Sequence, residues 1–167
     1  MGCIRILFSP VAALLGAVAM TVVALAGFAI ALAALGAPAS YRGDSWMASD
    51  TLLAILLGIT FVATITGGAV ARRMGGGLAV ALLTLFAACT SLVPHLDSPL
   101  DAAQSQRFAG RPEARPSDAT FADLATWTEH PDWMRYAGAL VGVTGVLFGS
   151  SLAKGRRGSS RPKRGDD

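Results

Sequence analysis

Both histidines of the chain sit in short acidic motifs, His95-Leu96-Asp97 and His130-Pro131-Asp132. Imidazole nitrogens with carboxylate oxygens suit Zn²⁺ or a similar divalent ion. Each motif abuts the end of an apolar segment, so two adjoining ends would bring His95, Asp97, His130 and Asp132 within reach of one another. The plainer use of the same residues is polar cover at a membrane boundary. A second stretch, GGAVARRMGGG at residues 67–77, raises phosphate chemistry. A phosphate loop, however, needs a preceding strand, a lysine and a hydroxyl, and none is present. No H-E-x-x-H, Walker lysine or nucleophile motif occurs elsewhere. The sequence therefore points to no enzyme, and to no cofactor beyond that divalent metal.

The elements that would hold these residues are apolar. The chain has 167 residues with 53% hydrophobic and 15% charged, against about 25% charged in soluble domains. The apolar residues fall in four blocks, about 10–35, 51–71, 77–93 and 136–153, and none holds Asp, Glu, Lys, Arg or His. A helix needs about 17–25 apolar residues to cross a hydrocarbon core of about 30 Å. The blocks meet that length, the third and fourth at its lower end. Alternating segments of about 10 residues, which a barrel requires, are absent. The expected fold is all-α: an integral membrane bundle of four transmembrane helices over 1–153, with an outer loop at 95–135 and a basic, disordered tail at 154–167. Ser9-Pro10 reads as the start of the first helix, a capping hydroxyl followed by a proline that needs no N–H. Within the loop, Thr120 and Asp123 have capping-box spacing and begin a short amphipathic helix over TFADLATWTEH. That helix lies either along the membrane surface or as a lid on the bundle.

Charge sorts by loop. With a cytoplasmic amino terminus, Arg5, Arg72, Arg73, Lys154, Arg156, Arg157, Arg161, Lys163 and Arg164 lie inside, and Arg42, Arg107, Arg111, Arg115 and Arg135 lie outside. The excess of Lys and Arg inside places both termini in the cytoplasm. Arg72, Arg73, Lys154, Arg156 and Arg157 are the topology anchors, and Gly75, Gly76 and Gly77 turn the chain between two spans. Tyr41, Trp46, Trp133 and Tyr136 fall at the opposite boundaries, where amphipathic rings settle. The first apolar run is about 26 residues, longer than the 7–15 of a signal peptide, which favours a retained helix. Ala37-Pro38-Ala39 before Ser40 leaves cleavage as the alternative. Cys3 and Cys89 fall near opposite ends of spans and are too far apart to bridge.

Small residues mark the contacts. Gly138, Gly142, Gly145 and Gly149 lie on one face of the last helix and contain two G-x-x-x-G units, a packing surface within the bundle or towards another membrane protein or a second copy. Ala12, Gly16, Ala19 and Ala26 on the first helix are possible partners for it. Proton relays and voltage sensors need ionisable groups within the membrane, which the spans lack. The basic tail fits anionic inner-leaflet lipid better than nucleic acid.

Three fragments together resemble a recurrent kind of small, uncharacterised four-helix bacterial inner-membrane protein: Gly67-Gly68 with Ala71-Arg72, His130-Pro131 with Trp133, and Gly149 with Leu152-Ala153. The resemblance covers the helices and not residues 99–125. It implies four helices and a short basic inner hairpin, and it carries no activity. The expected function is that of a non-enzymatic accessory, assembly or interaction protein acting through helix packing in the bilayer. The alternatives are a passive channel or permease lined by threonines, and a metal or enzymatic site at the outer face. Zinc titration of the purified protein separates the uses of the His/Asp motifs. Polar cover gives no binding that His95→Ala changes, whereas an isotherm abolished by His95→Ala assigns a metal site.

Overall fold

The computed structural model describes residues 2–92, 112–113, 120, 123–124 and 127–155. The chain is all-helical, with α1 (Gly2–Ser40), α2 (Asp50–Leu92) and α3 (Asp132–Gly155). Each contains a stretch long and apolar enough to cross a membrane: Phe8–Gly36, Asp50–Thr90 and Asp132–Lys154. No strand occurs among the described residues, only two isolated bridges.

Several boundaries differ from the sequence expectation. Ser9-Pro10 does not start a helix, because α1 is already helical from Gly2. Ser9 instead lies buried inside α1, and its hydroxyl donates to the Gly75 carbonyl at 3.4 Å. The last helix starts at Asp132 rather than at 136, with a carboxylate in its first turn and Lys154 in its last, the arrangement that the helix dipole favours. Of the three glycines expected to turn the chain, only Gly76 leaves helical geometry, at φ 75° and ψ −152°.

That single residue decides the shape of α2. A straight helix of 41 residues would run about 60 Å, twice the thickness of a hydrocarbon core. Instead, Thr60, Ala63 and Thr64 line the same cavity as Ala87 and Thr90, so α2 folds back at Gly76 into two arms, 50–75 and 77–92. Both arms meet α1: a Cβ built on Gly16 would lie 2.9 Å from the Gly67 carbonyl oxygen and 3.1 Å from Leu83 Cδ2. Ala12, Ala71, Ala79, Leu83 and Val146 form one buried cluster around this junction. The arm 50–75 is central, with α1 on one side and α3 on the other.

At the far end from Gly76, the helix ends are closed by a cap. Ser49 caps the start of α2, its hydroxyl accepting from the Leu52 amide at 3.2 Å. Residues 41–49 double back, with the Ser49 amide donating to the Ser40 carbonyl at 2.9 Å. They are joined to the segment before α3 by Ala48 N–H to the Glu129 carbonyl at 3.1 Å and Glu129 N–H to the Trp46 carbonyl at 2.9 Å. Leu32, Tyr41, Trp46, Leu52, Leu53 and Leu124 are buried together beneath it.

Gly76 gives a direct test. A Cβ there meets nothing within 4 Å, so Gly76→Ala carries only the backbone cost of a conformation reserved for glycine, about 1–3 kcal/mol. Thermal unfolding in detergent should show a lowered midpoint for Gly76→Ala. Gly58→Ala, equally open but helical, should leave the midpoint unchanged or raise it.

Candidate functional site

The centre of the bundle is built from glycines that bring backbones together. Gly16 and Gly67 face one another: a Cβ on Gly67 would lie 2.8 Å from the Gly16 carbonyl oxygen. The next residue, Gly68, points towards α3, and a Cβ there would overlap the Val146 carbonyl. From the α3 side, a Cβ on Gly149 would overlap the Ile65 carbonyl, and one on Gly145 the Thr64 hydroxyl. Consecutive residues on a helix are separated by about 100°, so Gly67 and Gly68 let one arm accept a neighbour on each side. In lipid, where apolar burial adds little, such close packing is the chief attraction between helices.

The glycine face of α3 is divided along its length. Gly145 and Gly149 press on arm 50–75. Gly142 has only Thr64 Cγ2, 3.9 Å from a built Cβ, and Gly138 has nothing within 4 Å. The partner of this face is thus α2; α1 uses Gly16 against Gly67 instead. Where Gly138 and Gly142 stand clear, a cavity of about 380 Å³ opens between the helices. Ala63, Thr64, Ala87 and Gly142 form its buried floor, and Thr21, Leu25 and Thr90 stand exposed at its rim.

Four threonines line this cavity, yet their hydroxyl protons face their own helices. Thr21 donates to the Ala17 carbonyl at 3.0 Å, Thr60 to Leu56 at 2.8 Å, Thr64 to Thr60 at 2.8 Å and Thr90 to Phe86 at 2.9 Å. What remains towards the cavity is methyl groups and weakly basic oxygen lone pairs. Among the described residues, no acidic, basic or histidine side chain lines it.

The cap carries the polar network. The Tyr41 and Thr128 hydroxyls are 2.7 Å apart and buried. Thr128 also bonds the Leu124 carbonyl, which needs its single proton and leaves Tyr41 as the donor to Thr128. Trp46 donates its indole N–H to the Pro112 carbonyl at 3.0 Å and meets Trp127 edge to face, centroids 5.2 Å apart, a pairing worth about 0.5–1.5 kcal/mol beyond its buried area. Thr120 and Asp123 form a reciprocal box: the Thr120 amide donates to Asp123 Oδ2 at 2.9 Å, and the Asp123 amide to Thr120 Oγ1 at 3.3 Å. The hydroxyl and amide of Thr120 hold the Asp123 carboxyl below the usual carboxylate range. The box is therefore fully present above pH 3.8 and is lost as acid protonates the carboxylate below that. Leu124 is buried against Tyr41 and Leu52, so this part of the segment packs onto the helix ends.

Of the proposed metal ligands, His95 and Asp97 lie outside the described residues. His130 is exposed at the cap, and Asp132 pairs with Arg135. No group of three or more His, Cys, Asp or Glu suited to a metal occurs among the described residues. Arg72 and Arg73 stand just before the Gly76 turn, with an Arg72 guanidinium nitrogen 3.2 Å from a Cβ built on Gly77. Lys154 closes α3, while Arg156 and Arg157 lie outside the described residues. Neither the position of the cavity nor the Tyr41–Thr128 pair is marked by any motif in the sequence. The only available signal was the recurrence of threonine in apolar segments, which does not reveal which face each occupies.

Comparison with protein-family models, with curated proteins and with solved structures finds no match to the chain.

The divided face predicts a graded response to alanine. Gly149→Ala drives into the Ile65 backbone and Gly145→Ala into the Thr64 side chain, and each should cost about 1–3 kcal/mol, as overpacking does. Gly138→Ala should be neutral or slightly stabilising, since its Cβ enters open space. Melting temperatures in detergent read the order; an equal loss at Gly138 would count against the division.

Proposed function

We propose that the chain crosses a bacterial inner membrane four times with both termini cytoplasmic, and that it is a non-enzymatic accessory or assembly protein acting through helix packing. The carrying observation is the closure of the half of the bundle nearest Gly76, where Gly16, Gly67, Gly68, Gly145 and Gly149 all approach a neighbouring helix closely. A chain that forms a conduction path needs a polar lumen there. The threonine hydroxyls nearest that path bond their own helices. These features favour a scaffold over the passive channel.

Four crossings follow from treating each arm of α2 as one span. Ser9, early in α1, bonds Gly75 beside the Gly76 turn, and α3 runs parallel to arm 50–75 towards Lys154, so these three points share one end of the bundle. That end holds Arg72, Arg73 and Lys154; the cap end holds Arg42 and Arg135 with Asp44, Asp50, Glu129 and Asp132. The Lys and Arg bias assigns the former to the cytoplasm. Since Gly145 and Gly149 are occupied within the chain, contact with a companion falls to the exposed apolar faces, such as Leu140 and Leu147 on α3.

Two measurements test this reading. Proteoliposomes of the full chain should leak K⁺ and glycerol no faster than protein-free vesicles. A photo-cross-linking residue at position 140 or 147 should give a discrete protein adduct in native membranes, and the same residue at position 62, also exposed, serves as the reference face. Solute flux above the vesicle background would replace the scaffold with the channel, and the absence of any adduct would remove the interaction role.

A further inference from the structure

We infer that the cavity beneath the cap is a binding site for the hydrocarbon chain of a bilayer phospholipid. It rests on the membrane placement of the helices and not on the number of crossings or on the scaffold role. Its volume of about 380 Å³ falls within the range of ligand pockets, about 300–1,000 Å³, and pockets between the helices of a bundle are a common setting. It lies within the apolar stretches of α1, α2 and α3, flanked by Thr21 and Leu25 on α1, Thr60 and Thr64 on α2, and Gly138 and Gly142 on α3. The medium at that depth is hydrocarbon, not water.

The lining selects the occupant by what it withholds. An anionic headgroup would need donors or positive charges, and the described lining offers neither, because the threonine protons bond Ala17, Leu56, Thr60 and Phe86 carbonyls and leave only oxygen lone pairs. Among the described lining residues, water would find threonine oxygens to donate to but no free donor to accept from. A methylene chain needs no partner and gains dispersion contacts with the threonine methyls, Phe28 and Leu56. Leu25, 60% exposed at the rim, leaves a lateral entrance from the bilayer. The two glycines facing the cavity supply the width, since side chains at 138 and 142 would occupy it.

The full chain in proteoliposomes containing phosphatidylcholine with a diazirine in its acyl chain tests this. After irradiation, adducts are mapped by peptide mass spectrometry. Label should concentrate on the α1 residues 20–28 and on Gly138 and Gly142 above the level at the bilayer-facing Leu147, Phe148 and Leu152 within 147–152. In Gly138→Leu and Gly142→Leu the label on 20–28 should fall to the bilayer-facing level, with that on 147–152 unchanged. Circular dichroism confirms folding, and Gly138→Leu carries the test alone if Gly142→Leu loses helicity. Label that follows exposure alone, or that persists in the folded Leu variants, overturns the proposal. So does protein–protein cross-linking through this face in place of lipid label, which would assign the cavity to a partner helix.

Discussion

The close approach of three backbones at residues 67 and 68 is the contact on which the rest of this structure depends. One arm of α2 has to touch α1 and α3 at the same depth, and no side chain larger than a hydrogen fits at either position. In water a bundle core could make good a small loss of contact by burying apolar surface. In a bilayer that compensation is absent, and helices are held by packing and hydrogen bonds. The reciprocity of the contacts reflects this: Gly16 against Gly67, and Gly68 against Val146 with Gly149 against Ile65.

Fixing the helices at one end leaves the other end to be closed by different means. Near Gly76 the chain reverses within one residue, in a conformation that only glycine adopts freely. At the cap, nine residues between α1 and α2 are held by backbone bonds to Ser40 and Glu129, by the Tyr41–Thr128 pair and by Trp46 on Trp127. The cap thus uses mainly hydrogen bonds, while the Gly76 half uses close contact together with the bond from Ser9 to Gly75. Between these two closures the helices are not fully apposed, and the cavity occupies the remaining space.

The His130-Pro131-Asp132 motif stands apart from this arrangement. His130 and Asp132 lie at the cap surface, where Asp132 pairs with Arg135 three residues on and serves the first turn of α3. The charge of Asp132 is accounted for by Arg135 and by the helix start it occupies. Chemistry legible as a spacing of residue types acquires meaning only from what surrounds each group.

Much of the architecture is written in the sequence because its cause is local. Apolar run length and the lack of ionisable residues act residue by residue against the bilayer, so they specify apolar helices without knowledge of neighbours. The Thr120–Asp123 box was legible for the same reason, being a contact over three residues. Only the tertiary structure decided that Gly76, and not Gly75 or Gly77, carries the reversal, and that α1 continues through Ser9-Pro10. It also decided that Gly145 and Gly149 pack while Gly138 stands open, although all four share one face of one helix. Periodicity gives the face of a residue but not the distance to the helix opposite, and that distance is set by the tilt of whole helices against one another.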